Sequence, residues 1–316
     1  MNSIEDTRLF LRSLNLPPGD LYDLPTSTKR FPDGAQYRIE IPSTEGPACL
    51  HAVIEEAERL GVTIHRVSQG SGVLMLTDDE IDEMASLASA KGMEVSLFAR
   101  PNASWDTSAM SLASAGGVVS PRARGQDQLI YCLEDIKRAA DHGIRSVLLA
   151  DEGVLWVAAK MRSGGELPAD MQFKMSVMMA SANPASIRLM QDLGADTYNI
   201  PTDLTLPQIA SIRAAVDIPL DIYVEVPDDV GGFVRLYEIP ELIRIASPVY
   251  IKLGLRNAPN IYPVGKHLES VAVLMSRERV RRAKIAVDII QRYYPDAVQS
   301  AAGAKGLAVP VPRRKP

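Results

Sequence analysis

The amino-acid sequence predicts one α/β domain, a (β/α)8 or TIM barrel. Three observations carry that reading: eight short β-branched runs alternate with helical patterns, no linker divides the chain, and the polar side chains of the runs fall on one face. The 316 residues exceed a minimal barrel by no more than short extensions. The expected boundaries are 1–36 for an N-terminal helix and lead-in, 37–295 for the barrel and 296–316 for a flexible C-terminal tail.

The elements follow in chain order. Residues 3–15 open with Ser3, Glu5 and Asp6, continue with Leu9, Phe10, Leu11 and Leu14 at helical spacing, and stop before Pro17-Pro18-Gly19, which predicts a capped amphipathic helix. Strands are expected at 37–42, 62–67, 94–99, 146–151, 172–177, 196–201, 220–226 and 248–255. Helices are expected at 46–60, 78–91, 125–142, 153–162, 184–193, 206–215, 236–246 and 267–293. Thr77-Asp78 opens the second and Gly92 closes it, Gly143 closes the third, and Asn183-Pro184 and Gly194 bound the fifth. The segment 102–124, rich in Ser, Ala and Gly and containing Trp105, is longer than a strand-to-helix connection needs and reads as a lid. The tail GAKGLAVPVPRRKP mixes Gly, Pro and positive charge without apolar periodicity, so it is expected to be flexible.

Composition bounds the function. With 46% hydrophobic and 23% charged residues the chain is globular, and a net charge of −5 with interspersed signs offers no broad cationic face for a nucleic-acid backbone. Cys49 and Cys132 stand far apart, with no CxxC or Cys/His grouping, which predicts two buried thiols and no thiolate metal site. The start MNSIEDTRLF lacks the features of a signal peptide and no run is long enough to span a bilayer, so the expectation is a cytoplasmic protein with no membrane partner. The last helix carries Val271, Val273, Leu274, Val280, Ile285, Val287, Ile289 and Ile290, more apolar positions than one barrel-facing stripe requires. A homo-oligomer is expected to cover the excess; packing of the N-terminal helix there is the alternative.

Because strand side chains alternate, the apolar set should face the helices and the other set the barrel interior. In the eighth strand Val249, Ile251, Leu253 and Leu255 face out, leaving Tyr250, Lys252, Gly254 and Arg256 inside. The seventh puts Asp221, Tyr223 and Glu225 inside, the fifth Lys174 and Ser176, and the first Arg38 and Glu40. The second offers His65 and, just beyond it, Gln69; the third Ser96 and Arg100; the sixth Asn199. The fourth ends on Asp151 and Glu152, which take opposite parities. Arg38 and Asp221, both early in their strands, are explained by structure alone as an ion pair.

An inward set with both signs of charge, gathered toward the carboxyl ends, points to an acid–base enzyme, a lyase or hydrolase, for a small carboxylate-bearing substrate. Glu225, Lys252, Glu40, Lys174 and His65 are the candidate catalytic residues: the glutamates or the histidine move a proton, and a lysine stabilises negative charge or forms an imine. Arg100 and Arg256 are the candidate carboxylate holders, with Asn199, Gln69, Glu152 and Tyr223 as further substrate contacts. No cofactor is expected, although Glu40, Glu152 and Glu225 leave room for a weakly held Mg2+ or Mn2+. Two loops are read as connections that could also meet an anion: Ser68-Gln69-Gly70-Ser71-Gly72 through its backbone NH groups, and Pro227-Asp228-Asp229-Val230-Gly231-Gly232, whose aspartates repel phosphate.

The run Leu148-Leu149-Ala150-Asp151-Glu152-Gly153-Val154-Leu155, then Phe173-Lys174-Met175-Ser176, Asn183-Pro184, Leu193-Gly194-Ala195-Asp196 and Asp203-Leu204-Thr205-Leu206-Pro207-Gln208-Ile209 resembles the barrel core of peptidase family U32. The likeness runs from Gln36 to Pro227 and rests on order and spacing. It implies a barrel, and either a collagenase-like peptidase or a member that modifies RNA or assists ring hydroxylation through cysteine-bound iron–sulfur clusters. The family's cysteine-rich segment, expected after the strand with Glu225, is replaced by Val226-Pro227-Asp228-Asp229-Val230-Gly231, so no cluster is expected. The alternative to an enzyme is a non-catalytic or RNA-associated barrel that kept the family's fold.

Overall fold

The structure, a computed structural model, describes residues 3–100 and 122–313. Eight parallel strands close into a barrel in sequence order: β1 (Tyr37–Pro42), β2 (Arg66–Ser68), β3 (Glu94–Phe98), β4 (Ser146–Leu149), β5 (Gln172–Met175), β6 (Thr197–Asn199), β7 (Leu220–Glu225) and β8 (Val249–Leu253). β8 pairs back onto β1, setting Glu40 opposite Lys252. The expected (β/α)8 fold is the fold observed, because each strand has an apolar face that only the outer helices can cover. Ile39, Val67, Val95, Val147, Phe173, Tyr198, Ile222 and Ile251 make up part of that buried interface.

Helix boundaries follow local chemistry. Thr77 and Thr205 each form a reciprocal capping box, with Glu80 and Gln208. Asp151 resolves the ambiguity at the end of β4: its carboxylate caps the helix Glu152–Gly164 by accepting from the Gly153 and Val154 amides. The lid reading of 102–124 falls almost wholly outside the described residues. No helix among the described residues is long and apolar enough to cross a membrane.

Three expectations change. First, β2 is three residues long and begins at Arg66, so Arg66 and Ser68 point inward and His65 does not. Second, residues 299–311 are laid across the amino-terminal mouth of the barrel instead of hanging free. Gln299 bridges to Tyr37, the Gly303 amide donates to the Gly92 carbonyl at 2.9 Å, and the Val311 amide to the Gly143 carbonyl at 2.8 Å. The bonds are made by backbone, which is why apolar periodicity did not signal them. Gly143 is needed there, at φ 86°, because a Cβ would fall on the Val311 carbonyl. Third, most apolar positions of the last helix, Glu269–Tyr293, pack against the rest of the chain, so the uncovered apolar excess is smaller than the sequence suggests. Val280, Val287 and Ile290 are buried, Val271 and Val273 pack beside Cys49 and Ile261, and Leu274 alone of the eight is mostly exposed. The N-terminal helix, Ile4–Ser13, has no buried residue and does not supply that cover.

Candidate active site

The barrel interior is polar, and its centre is an ion network. Six strands contribute: Glu40 from β1, Arg66 from β2, Glu94 from β3, Lys174 from β5, Asp221 from β7 and Lys252 from β8. Arg66 donates to Glu40 through Nε at 2.8 Å and also bonds Asp221, while the Lys174 ammonium bridges Glu40 and, at 2.9 Å, Asp221. Glu40 has a second oxygen, which accepts from Ser68 Oγ at 2.6 Å and faces Lys252 Nζ at 3.2 Å. Glu94 adds a third carboxylate 3.6 Å from Arg66. Three carboxylates thus meet three cations, which is what lets the charges stay buried.

Burial and partners pull the titrations in opposite directions. Burial pushes the Glu40 carboxyl up, but Arg66, Lys174 and Lys252 outweigh it and hold the group well below the usual carboxylate range. Burial, reinforced by Arg66, pushes the Lys174 ammonium down to about 8. Glu40 is therefore a fixed anion that positions cations.

Above the network, at the carboxyl ends of the strands, lies a cavity of about 460 Å³. Lys252, Ser68, Asn199 and Ser176 line it from the strands; Phe98, Leu148, Tyr223 and Leu255 give apolar walls; Ser43, Gly70, Tyr262, Met275 and Arg279 close one side. With its side-chain amide turned to satisfy both neighbours, Asn199 accepts from Lys252 Nζ at 2.9 Å and donates to the Asp221 carbonyl. The ammonium also stands 4.4 Å from the centre of the Tyr223 ring. Among the described residues the lining carries the cations Lys252, Arg100 and Arg279 and the carboxylate of Asp228.

The predicted site residues divide into three groups. Lys252, Asn199, Tyr223, Gln69 and Arg100 line the cavity. Gln69 braces its own loop, exchanging hydrogen bonds with the Gly72 backbone, and Arg100 donates to the Gly70 carbonyl at 3.4 Å. Glu40 and Lys174 lie in the network beneath and are not part of the lining.

Four residues are elsewhere, and each is a correction. His65 sits at the opposite mouth, where Nδ1 accepts from the Ile39 amide at 2.9 Å and Nε2 bonds the Ser300 carbonyl at 2.8 Å; burial pushes its pKa down to about 4. Glu225 follows a register shift between Tyr223 and itself, which breaks the alternation, and its carboxylate engages the Arg256 amide and Arg282. Arg256 has a mostly exposed side chain, beside Asp228. Glu152 is paired with Arg122. The carboxylates considered for Mg2+ or Mn2+ are thus dispersed, and no group of three metal-ligating side chains occurs among the described residues. Arg38 does not pair with Asp221 either: it donates to Ser300, Tyr250 and the Lys305 carbonyl.

The residues that sequence reasoning missed are Arg66, Ser68, Ser43, Tyr262 and Arg279. Arg66 and Ser68 were hidden by the assumed length of β2, whereas Tyr262 and Arg279 lie outside the strands where parity applies. The loop 68–72 does present its NH groups to an anion, but the anion is internal: the Gly70 and Ser71 amides each donate at 2.8 Å to the buried Glu45.

Fold and site define a (β/α)8 barrel with a ligand-sized cavity over a buried ion network, at the face where such barrels place their chemistry. The sequence model of peptidase family U32 matches residues 123–225, which bears out the family likeness over the second half of its expected span. Among solved structures the U32 peptidase Mk0906 is 16% identical, covering 63% of this chain and 73% of that one with a TM-score of 0.38. A fructose-1,6-biphosphate aldolase candidate from Coccidioides immitis is 14% identical, covering 81% and 92% with a TM-score of 0.50. An oxaloacetate acetylhydrolase bound to oxalate is 12% identical, covering 83% and 84% with a TM-score of 0.47. Likeness at these identities speaks to the fold alone. No curated protein matches the chain.

Proposed function

We propose that this protein is an enzyme for a small carboxylate-bearing substrate, and that it works as a lyase in which Lys252 meets the negative charge that develops next to a carbonyl. The observation that carries the reading is the placement of Lys252: its ammonium forms the cavity floor, fixed by Glu40 and Asn199, while the carboxylate that balances it lies beneath the floor. A cation held in this way needs no reorganisation as charge builds up on the substrate. Hydrolysis through a serine nucleophile is less well supported. Ser68 lines the floor and donates to Glu40, yet a carboxylate held that acidic is a poor proton acceptor.

The test is turnover. The purified protein is incubated with a pool of oxo- and hydroxycarboxylates and bond cleavage is followed by mass spectrometry. Lys252→Met should retain the far-ultraviolet circular dichroism of the wild type and lose about 100-fold or more in kcat, the scale on which removal of one preorganised charge-stabilising group is felt. A Lys252→Met protein that turns over at the wild-type rate contradicts the reading.

A further inference from the structure

The barrel-facing stripe of the last helix reads Ala272, Ser276, Arg279, Val280, Ala283, Ala286, Val287 and Ile290, small or apolar except at Arg279. A guanidinium there has five N–H donors to satisfy. Arg279 is 3% exposed; Nη1 reaches the Ser43 carbonyl at 3.4 Å, and the buried Nε has no hydrogen-bond partner. The charge of Glu45 acts on Arg279, while the Glu45 oxygens accept from the Gly70 and Ser71 amides. Arg279 itself lines the cavity.

Beside Arg279, the hydroxyls of Ser43 and Tyr262 are bonded to each other. Two hydroxyl hydrogens serve one bond between them, which leaves one O–H for an acceptor in the cavity. The Tyr262 ring is seated against Gly70, where a Cβ would come within 2.5 Å of the ring. Among the described lining residues this wall offers donors and positive charge, with the Glu45 carboxylate buried behind it.

The geometry points to Arg279, with the Ser43–Tyr262 pair as companion donor, as the subsite that grips the substrate's carboxylate, separate from the Lys252 floor where bond making or breaking occurs. The inference rests on the reading that the cavity takes a small carboxylate. A planar fork of N–H groups suits a planar monoanion bound through two oxygens. Asp228, also in the lining, disfavours a more highly charged phosphate.

The test is calorimetric titration of the full-length protein with acetate, pyruvate, succinate and benzoate, with the amide of each acid, and with inorganic phosphate, in the wild type, Arg279→Met and Arg279→Lys. The expected result is that at least one acid binds the wild type and its amide does not. Arg279→Met should weaken that acid about 10- to 100-fold, and Arg279→Lys should fall between. Arg279→Met should keep the far-ultraviolet circular dichroism of the wild type. If the wild type binds none of the acids, both the functional reading and this inference fall. If an acid binds both proteins equally and Arg279→Met melts lower, Arg279 is a structural residue and only the inference falls. Phosphate binding more tightly than every acid likewise overturns the carboxylate assignment alone.

Discussion

Glu40 is fully buried and held by three cations and a serine hydroxyl, so its loss leaves Arg66 and Lys174 sharing Asp221 and takes from Lys252 the carboxylate that faces it. Glu40→Gln should destabilise the protein by about 3–5 kcal/mol, the usual cost of orphaning a buried charge, as read from urea unfolding. His65 makes a different demand, because it is needed neutral. Its pKa is about 4 in the folded chain against 6.5 when unfolded, so below 6.5 the unfolded state binds the extra proton. The stabilisation is fully present above pH 6.5 and is lost as pH falls toward 4, up to about 3 kcal/mol in all. His65→Gln, which keeps an acceptor and a donor without titrating, should flatten the stability profile across that window; an unchanged profile would show that other groups set it.

Elements explain where sequence reading succeeded and where it failed. Parity placed Lys252, Lys174, Asn199 and Tyr223 on the inner face because β5, β6, β8 and the first part of β7 are regular, and a regular strand preserves a period of two. It failed at Glu225 because the register shift in β7 adds a step that no residue type announces, and at His65 because 62–65 is not strand. Arg279 escaped the parity test because it lies on a helix, where a single arginine in a buried stripe looks like surface until the helix is docked. The tail was misread for a related reason: its contacts are carbonyls and amides, which composition cannot show. Arg38 donates to the Lys305 carbonyl, Gln172 to the Gly306 carbonyl and the Ala308 amide to Glu94, in addition to the backbone bonds at Gly303 and Val311. Truncation after Ala302 removes these, at roughly 1 kcal/mol each. It should lower the melting temperature measurably while leaving ligand binding at the other mouth unchanged; equal melting would mean that the tail contributes nothing to closing the barrel.

The whole molecule separates stability from chemistry along the barrel axis. The amino-terminal mouth is closed by the tail and by a neutral His65, the middle is a balanced ion network, and the carboxyl mouth opens into a cavity whose described lining residues carry an excess of positive charge. That polarity underlies the proposed function, in which the network fixes Lys252 for an anionic substrate. The most direct measurement is a thermal-shift screen of small carboxylates against the wild type and Lys252→Met side by side, since a ligand that binds the native state raises its apparent stability. The account predicts that at least one carboxylate raises the melting temperature of the wild type and has a clearly smaller effect on Lys252→Met. No shift with any carboxylate, or the same shift in both proteins, would contradict it.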